Sequence, residues 1–319
     1  MPHPIEVDFP DIRRWAPGNT GLPHVWSFTG TAAGPHVCIT ALVHGNEVCG
    51  AIALDRLLPA FVSEALRPRR GRISFVFANV EAYLSFDPAQ PLASRALDED
   101  FNRLWDAETL DGPRQSRELA RARALRPLFD TVDHLLDLHS MSLPAPPIAL
   151  AGTTEKGLAL ARALGLPRDI LVDAGHAAGR RLRDYAGFGD PDSPKSALLI
   201  ECGQHWEAQV GDYATECAWR FLEHFDLVTR PAHIARLDPP QAPERVIEIT
   251  EVVTAAADGF VWTRPVTGLA TIPYAGTVIA MNGGVPVTTP YDHAILVMPA
   301  LEAQPGTTAV RIGRARASS

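Results

Sequence analysis

Apolar runs of strand length alternate with segments of helical periodicity over most of the chain. The apolar runs predict strands at 36–43, 72–80, 134–140, 147–152 and 196–203. Apolar residues at helical spacing predict helices within 47–66, 114–129, 154–166 and 212–228. Buried strands that alternate with helices are typical of an α/β fold, so we expect a mixed, largely parallel sheet flanked by helices.

The pattern changes after residue 232. A segment with four prolines, 231–246, indicates a linker, and the chain beyond it carries short β-like runs separated by Gly and Pro. No long helical pattern follows. We therefore predict two domains, a larger one at 1–238 and a small all-β domain at 239–319.

Polar residues follow the first predicted strand. His44 comes directly after the strand 36–43, and Glu47 precedes a helix for which Asn46 is the predicted N-cap. An imidazole and a carboxylate three residues apart can bind one divalent metal ion, and Zn²⁺ favours such nitrogen and oxygen ligands. Ligands of open α/β sheets bind beyond the carboxyl ends of the strands. This position favours a metal site over the alternative, in which His44 and Glu47 are unrelated surface residues.

His139 supplies a second imidazole at the end of the strand 134–140. Two histidines and one glutamate leave the fourth position of a tetrahedral zinc ion open for water, as hydrolytic sites require. Asp137 lies on the same face of the strand, where it either orients His139 or makes an unrelated polar contact. His134, at the start of the strand, is interpreted as structural.

Glu201 lies near the end of the apolar strand 196–203. Burial of a carboxylate is unfavourable, and it raises the pKa toward the range that suits a general base near neutral pH. The alternative is a carboxylate paired with a nearby arginine. His205 as a fourth metal ligand would close the open site, so we do not favour it.

The long polar stretch 81–113 interrupts the alternation of strands and helices, and such stretches in compact domains are often functional. It carries Arg95 and the pair Asn102-Arg103. Arginine binds carboxylates through a planar fork and keeps its charge. These residues therefore suit the anchoring of an acidic substrate.

Charge and composition narrow the function classes. A net charge of -8 argues against nucleic-acid binding, and no apolar run is long enough to span a membrane. The N-terminal segment has no apolar core of signal-peptide length. The four cysteines, which we interpret as buried thiols, are Cys38, Cys49, Cys202 and Cys217. We expect a cytoplasmic protein that binds a small molecule. The sequence leaves open whether it forms a homo-oligomer.

Four motifs combine the polar residues. They are His44-Gly-Asn-Glu47, Asp100-Phe-Asn102-Arg103, Asp137-Leu-His139 and Glu201-x-Gly203. Their order and approximate spacing resemble those of the succinylglutamate desuccinylase and aspartoacylase family, which has the zinc carboxypeptidase-like fold. The motifs cover the N-terminal two thirds of the chain, and the β-rich last third resembles the small C-terminal domain of that family.

The resemblance implies a zinc-dependent hydrolase that cleaves the amide bond of an N-acyl amino acid. His44, Glu47 and His139 would bind one Zn²⁺ per chain. Glu201 would be the catalytic acid and base, and Arg95 would polarise the scissile carbonyl.

The resemblance is less complete on the substrate side. It implies that Asn102 and Arg103 bind the carboxylate of the amino-acid part. Aspartoacylase-like enzymes have a further arginine shortly before the catalytic glutamate, and 187–200 has none here. The arginines that could replace it are Arg180, Arg181 and Arg183. The residues that could supply the family's C-terminal tyrosine are Tyr274 and Tyr291.

Two other functions stay open. A zinc carboxypeptidase would use the same metal ligands and an Asn-Arg anchor, although the compact spacing and the small β domain favour the deacylase. A non-catalytic protein on this scaffold would bind a small acid without cleaving it. Such a protein would have no need of a base at Glu201.

Overall fold

The structure is a computed structural model that describes residues 3–175, 178–237 and 244–316. The strands are β1 (Val25–Thr29), β2 (Ala32–Ala41), β3 (Arg70–Phe77), β4 (His134–Met141), β5 (Ile148–Leu150), β6 (Asp169–Val172), β7 (Ser196–Gln204), β8 (Arg245–Thr254), β9 (Phe260–Trp262), β10 (Ala270–Ile272), β11 (Val278–Asn282), β12 (Val285–Thr288), β13 (Ala294–Val297) and β14 (Thr308–Ala315). The helices are α1 (Cys49–Val62), α2 (Val80–Leu84), α3 (Ala107–Asp111), α4 (Arg117–Thr131), α5 (Glu155–Leu164) and α6 (Val210–His224). In these ranges no helix is both long enough and apolar enough to cross a membrane.

The centre of the main sheet is parallel, as the alternation of strands and helices predicts. Within the described ranges, eleven strands join it in the order β1-β3-β2-β4-β7-β5-β6-β8-β14-β13-β10, and β12, β11 and β9 form a second sheet. β2 pairs in parallel with β3 and β4, and β4 pairs in parallel with β7. β1 and β5 are antiparallel to their neighbours β3 and β7, so the sheet is mixed. The predicted fold class, with its smaller β part at the C-terminal end, is confirmed.

Side chains of β2 enter two different cores. Val37, Ile39 and Ala41 pack in one core with α1 and α6, whereas Cys38 packs in a second core with α4. Successive strand residues point to opposite faces, so a run that is apolar at every position is typical of a strand covered on both sides. Because both faces are covered, polar chemistry is confined to the strand ends and the loops beyond them.

The junction that carries His44 is more irregular than predicted. β2 ends at Ala41, and α1 begins only at Cys49, without a side-chain capping bond. The prediction of Asn46 as the N-cap is wrong, because the helix starts too late for it, and the Asn46 carbonyl oxygen accepts a hydrogen bond from the Trp206 indole. His44 therefore lies in a loop between strand and helix.

Short helical turns give the polar stretch 81–113 a defined structure. α2 and α3 occupy its two ends, and 3₁₀ turns lie at 93–95 and 101–103 between them. Glu118, fully buried in the first turn of α4, accepts hydrogen bonds from the backbone N–H groups of residues 97–99. A buried carboxylate needs such partners, so these bonds satisfy Glu118 and tie the stretch to α4.

The main sheet continues into the C-terminal part of the chain. β8 pairs in parallel with β6, and β14 and β13 follow it in antiparallel order. Apolar residues from both parts share a core at this junction, including Leu199 from β7 and Ile247 from β8. β10 and β12, of three and four residues, lie outside the β-like runs that the sequence predicts. The predicted domain boundary after 238 falls in 238–243, outside the described residues, and stays a prediction.

Stability should fall below neutral pH because of His36, which lies near the start of the apolar part of β2. Its Nε2 is 2.8 Å from Ser74 Oγ, and its Nδ1 is 3.1 Å from the Thr131 carbonyl oxygen. Burial, followed by the charge of Arg72, lowers the pKa of His36 from 6.5 to about 4. Between these values the unfolded chain binds a proton that the folded chain does not. The free energy of unfolding should therefore fall by about 2 kcal/mol between pH 7 and pH 5 because of His36.

Urea unfolding at pH 7 and pH 5 measures this contribution. His36→Asn should show a smaller loss of unfolding free energy than the wild type over this interval, whatever its absolute stability. His293→Asn, at an exposed position, is the matched control and should keep the wild-type slope. The prediction would be contradicted if the unfolding free energy of His36→Asn fell as steeply with decreasing pH as that of the wild type.

Candidate active site

Three adjacent parallel strands bring the predicted residues to one edge of the sheet. His139 on β4 and Glu201 on β7 are direct partners in the register of these strands. His44 lies in the loop after β2, the other neighbour of β4. Since β2, β4 and β7 run in parallel, their carboxyl ends meet, and the three side chains converge there.

His44, Glu47 and His139 form a compact, buried set of possible metal ligands. Their donor atoms all lie within 4.8 Å of one another. The Nδ1 of His44 is 2.7 Å from Glu47 Oε1, and the Nδ1 of His139 is 2.8 Å from Glu47 Oε2. Two imidazole nitrogens and a carboxylate in this arrangement fit a divalent ion such as Zn²⁺.

Electrostatic coupling holds this set together. Burial alone would raise the pKa of Glu47, but His44 and His139 reverse that effect and hold the pKa well below its usual range. Burial alone would lower the pKa of His139, but Asp137 and Glu47 raise it well above its usual value. The Glu47 carboxylate therefore carries its charge in the buried site, and it attracts positive charge.

Asp137 lies against the second ring nitrogen of His139, on the face that the strand alternation predicts. Its Oδ2 lies 2.9 Å from His139 Nε2, on the opposite side of the ring from Glu47. A carboxylate against the second nitrogen fixes the orientation of a metal-binding imidazole and increases its basicity. His134 lies away from this set, with its Nδ1 2.8 Å from Ser196 Oγ, in agreement with a structural role.

Gly45 lets the loop with His44 and Glu47 approach the segment that carries Arg95. A Cβ atom on Gly45 would lie 2.4 Å from the Ser94 carbonyl oxygen, so any larger residue would push the segments apart. The Gly45 N–H donates to the Arg95 carbonyl oxygen at 3.1 Å. The Arg95 side chain then lies 3.2 Å from Glu47 Oε1, beside the possible metal ligands.

Glu201 is a buried carboxylate that is not neutralised by an ion pair in the described part of the chain. It is 6% exposed, and its Oε2 has no hydrogen-bond partner among the described residues. Burial, followed by the nearby negative charge of Glu47, raises the pKa of Glu201 to about 8. The predicted alternative, pairing with an arginine, finds no support in these contacts. A carboxylate of this kind can exchange protons near neutral pH.

Asn102 and Arg103 lie on the 3₁₀ turn 101–103 and line the same cavity as the metal set. The Asn102 side-chain oxygen accepts a hydrogen bond from the Leu182 N–H at 2.8 Å, which leaves its amide nitrogen as the donor toward the cavity. Arg103 Nη1 donates to the Asn102 carbonyl oxygen at 2.7 Å. The two side chains are positioned to act together on an anion.

The three arginines that follow β6 lie in different environments. Arg181 reaches the cavity, and its guanidinium binds both oxygens of Asp173 at 2.9 and 3.1 Å. Arg183 is buried against the Ala151 and Ala197 carbonyl oxygens, which is a structural position. Arg180 faces a different cavity.

Neither predicted tyrosine lines the cavity. Tyr274 is 73% exposed, and Tyr291 contacts the Thr250 hydroxyl at 2.6 Å. The C-terminal part contributes Met298 and Arg311 instead.

Sequence reasoning missed the connecting role of Asp100. Its Oδ1 accepts a hydrogen bond from the Asn102 N–H and lies 3.0 Å from His44 Nε2, and its Oδ2 lies 3.1 Å from Arg95. It therefore joins the metal side of the site to the predicted anion-binding side. The available signal was the Asp before a short turn, which is typical of an N-cap. His205, whose Nδ1 lies 2.9 Å from Ser140 Oγ, also lines the cavity.

Comparisons with known proteins agree with this arrangement. A family model described as the succinylglutamate desuccinylase/aspartoacylase catalytic domain matches residues 33–210, more than half of the chain. No curated protein matches the chain in sequence.

Solved structures share the fold over nearly the whole chain. Succinylglutamate desuccinylase from Vibrio cholerae is 19% identical, with a TM-score of 0.68, over 92% of this chain and 86% of that chain. The Vibrio parahaemolyticus enzyme of the same name is 17% identical, with a TM-score of 0.66 and the same coverage. The product-bound ectoine utilization protein EutE from Ruegeria pomeroyi is 16% identical, with a TM-score of 0.62, over 91% of this chain and 87% of that chain.

Proposed function

We propose that this chain, which belongs to the succinylglutamate desuccinylase/aspartoacylase family, is a zinc-dependent hydrolase. It would cleave the amide bond of an N-acyl amino acid. The observation that carries the proposal is Glu201. A buried carboxylate with a raised pKa lies in one cavity with a compact set of metal ligands and an Asn-Arg pair. A binding protein has no need of such a base.

His44, Glu47 and His139 would hold the Zn²⁺ ion. When bound, the ion would supply Lewis-acid polarisation and lower the pKa of the attacking water. Glu201 removes a proton from that water as it attacks the scissile carbonyl carbon. The same carboxyl group then delivers the proton to the leaving amine nitrogen as the C–N bond breaks, so the products are a carboxylic acid and a free amino acid.

Arg95 and the Asn102-Arg103 pair would act on the substrate. The Arg95 side chain is 42% exposed, and it lies beside the metal ligands, where it can donate to the developing oxyanion. Asn102 offers its amide nitrogen, and Arg103 offers a permanent charge, to the carboxylate of the amino-acid part. That anchor would fix the scissile amide against Glu201.

Metal analysis together with a hydrolysis panel tests the proposal. The panel contains N-acetyl, N-succinyl and longer N-acyl amino acids, the same compounds with the amino-acid carboxylate converted to an amide, and N-blocked peptides. We expect zinc in a ratio near one per chain, cleavage of acyl amino acids, and weaker cleavage of the amides. Zinc binding without cleavage of any acyl amino acid, or faster cleavage of the peptides, would overturn the proposal.

A further inference from the structure

His205 is a buried histidine in the cavity that the proposed mechanism does not use. It directly follows β7, lines the cavity of the metal set and is only 2% exposed. It lies outside the compact set of donor atoms that His44, Glu47 and His139 form. Buried polar groups normally have hydrogen-bond partners, so a ring nitrogen that has none in the protein is a candidate for contact with a ligand.

Hydrogen bonds on both sides of His205 fix its position. Its backbone N–H donates to the Met141 carbonyl oxygen at 2.9 Å, just beyond the pairing of β4 with β7. The Gln204 side chain bonds the Ser142 carbonyl oxygen at 3.2 Å and the Trp206 N–H at 2.8 Å. The imidazole lies against the Trp206 ring, with 5.3 Å between the ring centroids. The protein therefore holds the ring in place before a ligand binds.

Ser140 determines which ring nitrogen of His205 carries the proton. Its Oγ lies 2.9 Å from His205 Nδ1, and this hydroxyl has no other acceptor among the described residues. A buried O–H group without an acceptor is costly, so the hydroxyl donates to Nδ1, and the proton of the neutral ring is on Nε2. Nε2 makes no hydrogen bond with the described residues and, unlike Glu201 Oε2, is not fully enclosed by them. An N–H donor is thus available to a ligand in the cavity.

The imidazole of His205 is neutral near neutral pH. Burial lowers its pKa to about 4, the charge of Glu47 opposes this effect, and the charges of Arg95, His44 and His139 add to it. A divalent cation bound nearby would add positive charge and lower the pKa further. His205 is therefore a hydrogen-bond donor of fixed tautomer rather than an acid, and the charges that act on it are those of the metal side of the cavity.

The Ser140–His205 pair and Arg95 flank the Glu47 carboxylate. The Ser140 N–H donates to Glu47 Oε2 at 3.1 Å, whereas Arg95 Nη1 donates to Oε1 at 3.2 Å. Donor groups therefore lie on both sides of a residue of the metal set. A scissile carbonyl that binds at this set can meet a donor from each side. Such an arrangement suits a tetrahedral intermediate, because donors placed in advance around the developing oxyanion stabilise it.

We infer that His205 is a catalytic residue whose Nε2–H, together with Arg95, donates to the oxygen of the scissile carbonyl as negative charge develops there. The inference rests on the proposed function, because this oxyanion forms only during that hydrolysis. No proton is transferred, since the imidazole keeps its Nε2 proton and the Ser140 hydroxyl keeps its bond to Nδ1. The bond becomes stronger as the carbonyl oxygen gains charge, so it acts on the transition state more than on substrate binding.

Two substitutions separate the cavity donor from the rest of the ring. His205→Gln places an amide N–H near the position of Nε2, whereas His205→Asn extends only to the position of Nδ1 and removes the donor. For the N-acetyl and N-succinyl amino acids of the panel, His205→Asn should lower kcat by about 10²-fold with KM little changed, as expected for one oxyanion donor. His205→Gln should restore about tenfold of that loss.

His293→Asn, at an exposed position, is the matched control and should keep the wild-type kcat. His205→Asn should also keep the wild-type zinc content, because His205 lies outside the compact metal set. An unchanged kcat in His205→Asn would overturn the inference. A loss of zinc, a loss expressed mainly in KM, or a His205→Gln variant no more active than His205→Asn would overturn it as well.

Nuclear magnetic resonance of zinc-loaded wild type with ¹⁵N-labelled histidine tests the donor without an activity measurement. The signals of His205 are identified by their absence in His205→Gln. We expect a neutral ring with its proton on Nε2 near neutral pH, and a proton on Nδ1 would overturn the inference whatever the activity. A wild type that cleaves no acyl amino acid would overturn the hydrolase proposal and the role of His205 together. An active wild type whose kcat is unchanged in His205→Asn would overturn this inference alone.

Discussion

Glu201→Gln is expected to lower kcat by about 10²- to 10⁴-fold, the usual contribution of a general base. The substitution keeps the size and hydrogen-bonding capacity of the side chain but removes the group that accepts the water proton. Glu201 is not among the residues whose donor atoms form the compact metal set. Zinc content should therefore stay at the wild-type level, and circular dichroism should show the same fold.

The neutral amide also removes a charge that is unfavourable in this buried position. Burial and the charge of Glu47 raise the pKa of Glu201, so in the zinc-free protein, prepared with a chelator, the Gln variant should be at least as stable as the wild type above pH 8. Glu251→Gln, the same change at an exposed position on β8, is the matched control and should keep full turnover. Full activity of Glu201→Gln with normal zinc would remove Glu201 from the mechanism.

His139→Asn is expected to remove both metal binding and activity. The His139 ring lies between Glu47 and Asp137, at 2.8 and 2.9 Å, so the substitution removes one of the two imidazoles of the metal set. Wild type should be stabilised by zinc, by about 4 kcal/mol when free zinc is a thousandfold above Kd. Thermal unfolding with zinc and with a chelator should show this difference for wild type and lose it in His139→Asn.

His134→Asn is the matched control for this experiment, because His134 lies at the other end of the same strand. It should keep the zinc-dependent shift and the activity, even if the loss of its contact with Ser196 lowers the overall stability. A zinc-dependent shift that persists in His139→Asn would mean that the ion binds elsewhere.

The fold and the convergence of the metal set could be predicted from the sequence because both depend on short-range patterns. Apolar runs of strand length marked β2, β4 and β7, and the polar residues at their ends had to meet once those strands were parallel. The register that makes His139 and Glu201 neighbours follows from their similar positions in two strands of similar length.

The rest of the site depends on contacts between distant segments, which no local pattern carries. Arg311 reaches the cavity because β14 joins the main sheet through β8. Tyr274 and Tyr291 matched the expected tyrosine by residue type alone, and neither lines the cavity. Asn46 looked like a cap because Asn favours that position, but packing of the loop against Trp206 took precedence over local propensity. Glu118 gave no local signal either, since its partners are backbone groups about twenty residues away.

The pairing of β6 with β8 has a consequence for attempts to divide the protein. A chain cut after residue 237 would expose the whole hydrogen-bonding edge of β6, a short and apolar parallel strand. Native proteins protect such edges, since an open apolar strand is a template for pairing with other chains. The shortened protein would also lose the apolar residues that cover Leu171 and Leu199. The last third of the chain thus covers this strand edge and the apolar residues beside it, in addition to supplying a wall of the cavity.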